Sequence, residues 1–177
     1  MSYLKAENLR LKKRVNELEE KLVNLVGQIK IFSSGIESMG KQHELNNAIA
    51  TLIMKPAAEE ELKIVTPFVG HDYFLVLESQ AKAGVSIQLI VNPRQAWPKK
   101  HQEVYDKLKA TRNIELYGNP NVKYLLIWTK TEGIFSSVSL DKEELMNNIL
   151  IGITILEPSK LGKLLEIYKE MLPSFMR

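Results

Sequence analysis

The sequence predicts an α/β fold: an N-terminal parallel coiled-coil helix followed by a domain whose mixed sheet is flanked by helices. Three observations predict it. A heptad repeat runs without a slip over residues 1–39. Beyond it, segments with the period of a strand alternate with segments of helical period. Two of those strands, VSIQLIV at 85–91 and ILIGITIL at 149–156, are nearly continuous apolar runs, as strands covered on both faces are.

In the heptads, Met1, Asn8, Val15, Leu22, Ile29 and Ile36 fall at position a, and Leu4, Leu11, Leu18, Leu25, Phe32 and Met39 at d. All but Asn8 are apolar, a narrow stripe that is buried only when a second helix covers it. β-Branched residues at a with mostly Leu at d favour two parallel strands, and one Asn at a fixes register. In a parallel pair Glu7 meets Lys12 and Arg14 meets Glu19, both of opposite sign. The expectation is a homodimer held by Leu4, Asn8, Leu11, Val15, Leu18, Leu22, Leu25, Ile29 and Phe32, with the coil spanning 1–40 and an α/β domain spanning 41–177. Because the heptads start at Met1, no basic helix of the kind that reads DNA ahead of a zipper is expected. Gly27, Gly35 and Gly40 weaken the helix toward its end.

The elements of the domain follow in order. Leu45, Ala48, Ile49, Leu52 and Ile53 recur at helical spacing over 41–55, and Pro56 ends the run. KIVTPFV at 63–69 reads as a strand with Pro67 near its end. Asp72 is placed to cap a helix carrying Phe74, Leu75, Leu77 and Ala81, closed by Gly84. The strand at 85–91 leads into a loop at 93–98, then a helix at 101–110 with Val104, Tyr105 and Leu108 on one face. A short strand at 114–117 ends in the Gly118-Asn119-Pro120 turn. KYLLIWT at 123–129 and GIFSSVSL at 133–140 form a strand pair across a polar turn. After the strand at 149–156, Ser159 begins a final amphipathic helix.

Composition excludes several chemistries. There are no cysteines, so disulfides, thiolate nucleophiles and Cys-ligated zinc are ruled out. No two of His43, His71 and His101 share a metal-ligand spacing on a helix, and no metal or cofactor is expected. A Gly-rich phosphate loop ending in Gly-Lys is absent. The net charge of +3, from 24 basic and 21 acidic residues, neither demands nor forbids nucleic acid. No apolar run reaches membrane-spanning length and the N-terminus is too charged for a signal peptide. A soluble, cytoplasmic protein without a membrane partner is expected.

From about Ile64 to Leu172 the element order resembles one half of the phospholipase D superfamily fold. KIVTPFV is similar to the family's opening strand, and AKAGVSIQLIVNP to its helix-end and second strand. The family's catalytic signature is His-x-Lys-x4-Asp followed by Gly-Ser-x-Asn. The matching stretch here is Asn121-Val122-Lys123 with Trp128 at the Asp position, and then Ser136-Ser137-Val138-Ser139-Leu140. In the family one His attacks phosphorus and a second protonates the leaving group. The chain has Asn121 in place of that His, and a neutral amide does neither. The resemblance therefore implies a kept fold, no catalytic residue, and an anion-binding remnant made of Asn121, Lys123, Ser137 and Ser139. A coiled coil joined to such a domain also resembles the TrmB-type archaeal transcription regulators, in which a winged helix precedes both parts.

Other candidates stand apart from that motif. Arg94, Trp97, Lys99 and Lys100 put cations and an aromatic in one loop, a composition suited to anions or to stacking on bases, although Trp97 equally suits a plug at the domain edge. With Lys123 and Lys130 this loop would form a basic rim. Ser136, Ser137 and Ser139 alternate as one exposed strand face would. His71 follows the first strand of the domain, at the end where α/β sheets place their sites. The reading expected is a non-catalytic homodimer used for binding or regulation near DNA, with a protein partner on the stalk. The alternatives are a sequence-independent nucleic-acid binder and a divergent phosphodiesterase or nuclease using His71 or His101.

Overall fold

The computed structural model describes residues 7, 10–18, 29–34, 44–148 and 150–174, with backbone alone at 29–34. A helix, α1, covers 10–18, followed by β1 (Ile29–Ser34) and α2 (Glu44–Met54). Then come β2 (Glu61–Thr66), α3 (His71–Lys82) and β3 (Ser86–Val91). Two single 3₁₀ turns, Arg94–Ala96 and Lys99–His101, lead into α4 (Gln102–Ala110). The chain continues through β4 (Ile114–Gly118), β5 (Leu125–Trp128), β6 (Gly133–Ser136), α5 (Lys142–Asn147), β7 (Leu150–Ile155) and α6 (Pro158–Met171).

The seven strands form one mixed sheet in the order β1-β7-β6-β5-β2-β3-β4. β2, β3 and β4 run parallel, and every other neighbouring pair is antiparallel. Strand alternation sorts the apolar residues onto two faces. Leu62, Ile64, Ile87, Leu89, Leu125, Ile127 and Ile134 pack with α2, α3, α4 and α5 in the larger core. Val65, Ile90, Leu126 and Trp128 pack under α6, against Tyr168 and Leu172. The helix α2 lies so close to β7 that a Cβ on Gly152 would sit 2.3 Å from Leu45 Cδ1. Any larger residue there would have to displace the end of the Leu45 side chain.

Several expectations change. The heptads expect helix at Ile29 and Phe32, whereas the backbone there is extended and pairs antiparallel with β7, Phe32 opposite Gly152. The physical reason is that β7 without β1 would be an open edge, and β1 satisfies its backbone groups. Leu11, Val15 and Leu18 lie on α1 and are 56%, 51% and 51% exposed, so no other described part of the chain covers the seam. Leu4, Asn8, Leu22 and Leu25 lie outside the described residues. Gly70, not Asp72, is the N-cap of α3, and Asp72 sits in its first turn. The strand expected at 133–140 stops at Ser136. The short helix α5 after it was not expected, although Asp141 with Glu144 three residues on is a legible start signal.

Candidate functional site

Strand direction decides which loops meet. Thr66 and Val91 end the parallel strands β2 and β3 side by side. β5 runs opposite to β2, so its start at Leu125 lies at this same end, opposite Ser136 of β6. Asn121, Lys123 and Ser137 therefore gather at the C-terminal end of β2 and β3, the usual place for a site in an α/β sheet. All three are exposed. The Asn121 backbone N–H donates to Asn119 Oδ1 at 2.9 Å, and Asn119 Nδ2 donates to the Met171 carbonyl at 3.0 Å, tying the turn to α6. Lys123 makes no ion pair among the described residues.

Ser139 is different: it is buried. Its backbone N–H donates to Glu144 Oε2 at 3.1 Å, while Glu144 N–H donates to Asp141 Oδ1 at 3.0 Å, together capping α5. Ser136 is also buried and donates to the Ile151 carbonyl at 2.9 Å. The expected exposed serine stripe is thus broken, because the strand ends at Ser136 and the following residues turn into the cap. Trp128, at the motif's Asp position, is buried edge-on to Tyr168, with centroids 4.9 Å apart.

Behind this surface two loops are stitched together. Leu140 N–H donates to Thr66 Oγ1 at 2.8 Å, and Gly70 N–H donates to the Leu140 carbonyl at 2.8 Å. Asp141 Oδ2 lies 3.3 Å from His101 Nε2, and both side chains are buried. The His101 ring stacks on Phe68 at 5.2 Å. A Cβ on Gly70 would lie 2.1 Å from Asp141 Oδ2. Sequence reasoning missed this buried pair. The cap pattern at Asp141 is legible, but nothing local announces that His101 returns to it.

The expected basic rim is largely consumed. Arg94 forms a two-pronged pair with Asp106, Nε to Oδ1 at 2.9 Å and Nη2 to Oδ2 at 2.8 Å. That hydrogen bonding holds the Asp106 carboxyl below the usual carboxylate range. Lys100 pairs with Glu143 and lowers its carboxyl in the same way. Trp97 is a plug: it is buried, donates Nε1–H to the Asn92 carbonyl at 2.8 Å, and meets Tyr105 edge-on. It has no face left for a base. Lys130 follows the far end of β5, beside Glu61 and Lys63, so it cannot share a rim with Lys123. Lys99 stays exposed without an ion pair among the described residues.

His71 opens α3 and lines an open groove of about 730 Å³ between α3 and α4, with Glu78, Lys82, Lys107 and Arg112. His43 lies outside the described residues. Among the described residues no group of three His, Asp or Glu is placed to hold a metal ion, and no helix is long and apolar enough to cross a membrane.

No protein-family model matches the sequence, and no curated protein matches it. Solved structures do match. NucT from Helicobacter pylori superposes with a TM-score of 0.66 at 18% identity, over 81% of this chain and 94% of that one. Nuc from Salmonella typhimurium, a phospholipase D family member, gives 0.64 at 15% identity, over 81% and 92%. TrmBL2, an archaeal chromatin protein whose structure shows a mode of DNA binding, gives 0.54 at 16% identity, over 96% of this chain and 63% of that one. The chain has a phospholipase D-like fold.

Proposed function

We propose that this chain is a non-catalytic homodimeric binding protein, regulatory or scaffolding in a DNA-associated, cytoplasmic setting. A coiled-coil stalk sets its dimer geometry and offers a surface to a protein partner. The phospholipase D-like domain contacts its ligand without cleaving it. One observation carries the reading: Asn121 stands where the resembled motif has its nucleophilic His. A neutral amide neither attacks phosphorus nor donates a proton near pH 7. Burial of Ser139 and Trp128 at two further motif positions supports it. Fold likeness to TrmBL2 supports the DNA-associated setting.

The test incubates the full chain with supercoiled plasmid, single-stranded DNA and bis(p-nitrophenyl) phosphate, with binding read at two salt concentrations. No cleavage is expected. Cleavage abolished by His71→Ala or His101→Ala would overturn the reading in favour of a divergent phosphodiesterase. A nucleic-acid-binding reading rests on Lys99 and Lys123, two exposed cations at this sheet end that make no ion pair among the described residues. If only these two meet phosphates, the logarithmic salt slope is about −2, and Lys123→Ala halves it.

A further inference from the structure

We infer that the uncovered half of the sheet's α6 side docks against the same surface of a second copy of this chain. The helix α6 covers β2, β3 and β5. Its contact with β6 includes Gly133, where a Cβ would meet Leu161 and Leu164. Strand parity puts Phe135 on this same face, with Ile151, Ile153 and Ile155 of β7 beside it. Phe135 is 38% exposed and Ile151 is 61% exposed. Antiparallel strands with one face in water normally alternate apolar with polar residues. These outward positions of β6 and β7 carry no polar residue at all. The patch continues through Tyr124, whose ring lies 5.5 Å from Phe135, to Met171 and the exposed Ile167 of α6. A contiguous apolar surface of this kind marks an interaction site.

The occupant follows from the stalk, so the inference rests on the dimer reading above. Leu11, Val15 and Leu18 form an exposed apolar stripe at helical spacing, flanked by charges that are complementary in a parallel pair. A parallel two-helix stalk holds its helix axes about 10 Å apart. In the sequence, β1 follows the stripe-bearing segment, and β1 is hydrogen-bonded to β7. A dimer joined through that stripe therefore tethers two copies of the same β1–β7 edge to one another. A closed two-fold contact brings the same patch on each copy face to face.

Because the natural chain has no cysteine, single-cysteine variants of the full chain give a clean test. Leu11→Cys reports the stalk, Phe135→Cys and Ile151→Cys report the patch, and Lys109→Cys on α4 is the control. Each is treated at micromolar concentration with a short bis-maleimide. The expected result is efficient cross-linking at positions 11, 135 and 151, at least tenfold above position 109. Cross-linking at 11 but not at 135 or 151 would sink the inference and leave the stalk standing. No cross-linking at any position, with the mass of one chain in solution, would sink the stalk reading as well. Thiols at 135 and 151 that resist reagent in a single chain would mean that the chain's own residues cover the patch. Independently, Ile151→Glu is expected to raise the dimer dissociation constant at least tenfold by sedimentation, and an unchanged constant would count against the contact.

Discussion

The two halves of the sheet are built to different rules. On the parallel side, β2 and β3 are enclosed by α3 and α4 on one face and α6 on the other, and Leu62, Ile64, Val65, Ile87, Leu89 and Ile90 are all fully buried. On the antiparallel side, β6 and β7 are covered by α2 and α5 on one face, while Phe135 and Ile151 stand open on the other. Both halves are apolar in sequence. An apolar run therefore tells that a strand is to be covered, not whether its own chain does the covering.

The sharpest way to break that comparison is a pair of truncations read by urea unfolding. Leu89→Ala should cost about 3 kcal/mol, the transfer loss plus a cavity in a packed core. Ile151→Ala should cost under about 0.5 kcal/mol at a concentration where the chain is single. Equal costs would erase the distinction between the halves.

The stitched end of the enclosed half comes next. Gly70→Ala forces a Cβ into the Asp141 carboxylate and should destabilise by about 2 kcal/mol, in the range for overpacking. Asp141→Ala removes the α5 cap and the buried partner of His101, whereas Asp141→Asn keeps a good capping side chain. The alanine variant should be less stable than the asparagine one by about 1 kcal/mol. If the two are equal, the cap contributes nothing and the His101 contact alone matters.

A smaller effect tests the packing of α2 on α3. Tyr73 donates its hydroxyl to Asn46 Oδ1 at 2.8 Å. Burial, and then the nearby Asp72 and Asp141 carboxylates, push that hydroxyl well above its ordinary range. The unfolded chain releases this proton near pH 10 while the folded chain keeps it. The contribution is therefore complete below about pH 10 and is lost as the pH rises beyond it. Tyr73→Phe should cost about 1 kcal/mol near neutrality and should flatten the alkaline limb of the stability profile. The remaining slope belongs in part to Tyr168, whose hydroxyl burial also raises, and to Tyr117, pushed up to about 12. Smallest of all is the exposed Lys100–Glu143 pair. Lys100→Ala should leave the melting temperature within error, since exposed pairs are screened by water and salt.

Much of the fold is legible from periodicity because local spacing encodes which face of an element is covered. The helix over 44–54, the buried strand at 86–91 and the closure of α3 at Gly84, with φ +96°, all follow from that spacing and from turn chemistry. The strand β1 is less legible. Its Ile29 and Phe32 fit a heptad as well as a strand, and only the open edge of β7 separates the two readings. The motif remnant could be placed on the sequence, but Ser139 looked open because the chain turn after Ser136 carries no strong breaker.

By itself, then, the sequence determined the strand and helix pattern, the absence of thiol chemistry, and an Asn where phosphodiester cleavage in the resembled motif needs a His. The tertiary structure alone decided which of those residues are in use. It joined Arg94 to Asp106, Lys100 to Glu143 and His101 to Asp141, turned Trp97 inward, and sent Lys123 and Lys130 to opposite ends of β5. The physical reason is range. Backbone preference and amphipathic period act over a few residues, whereas a pairing between distant side chains depends on strand order and direction, which the whole chain sets together.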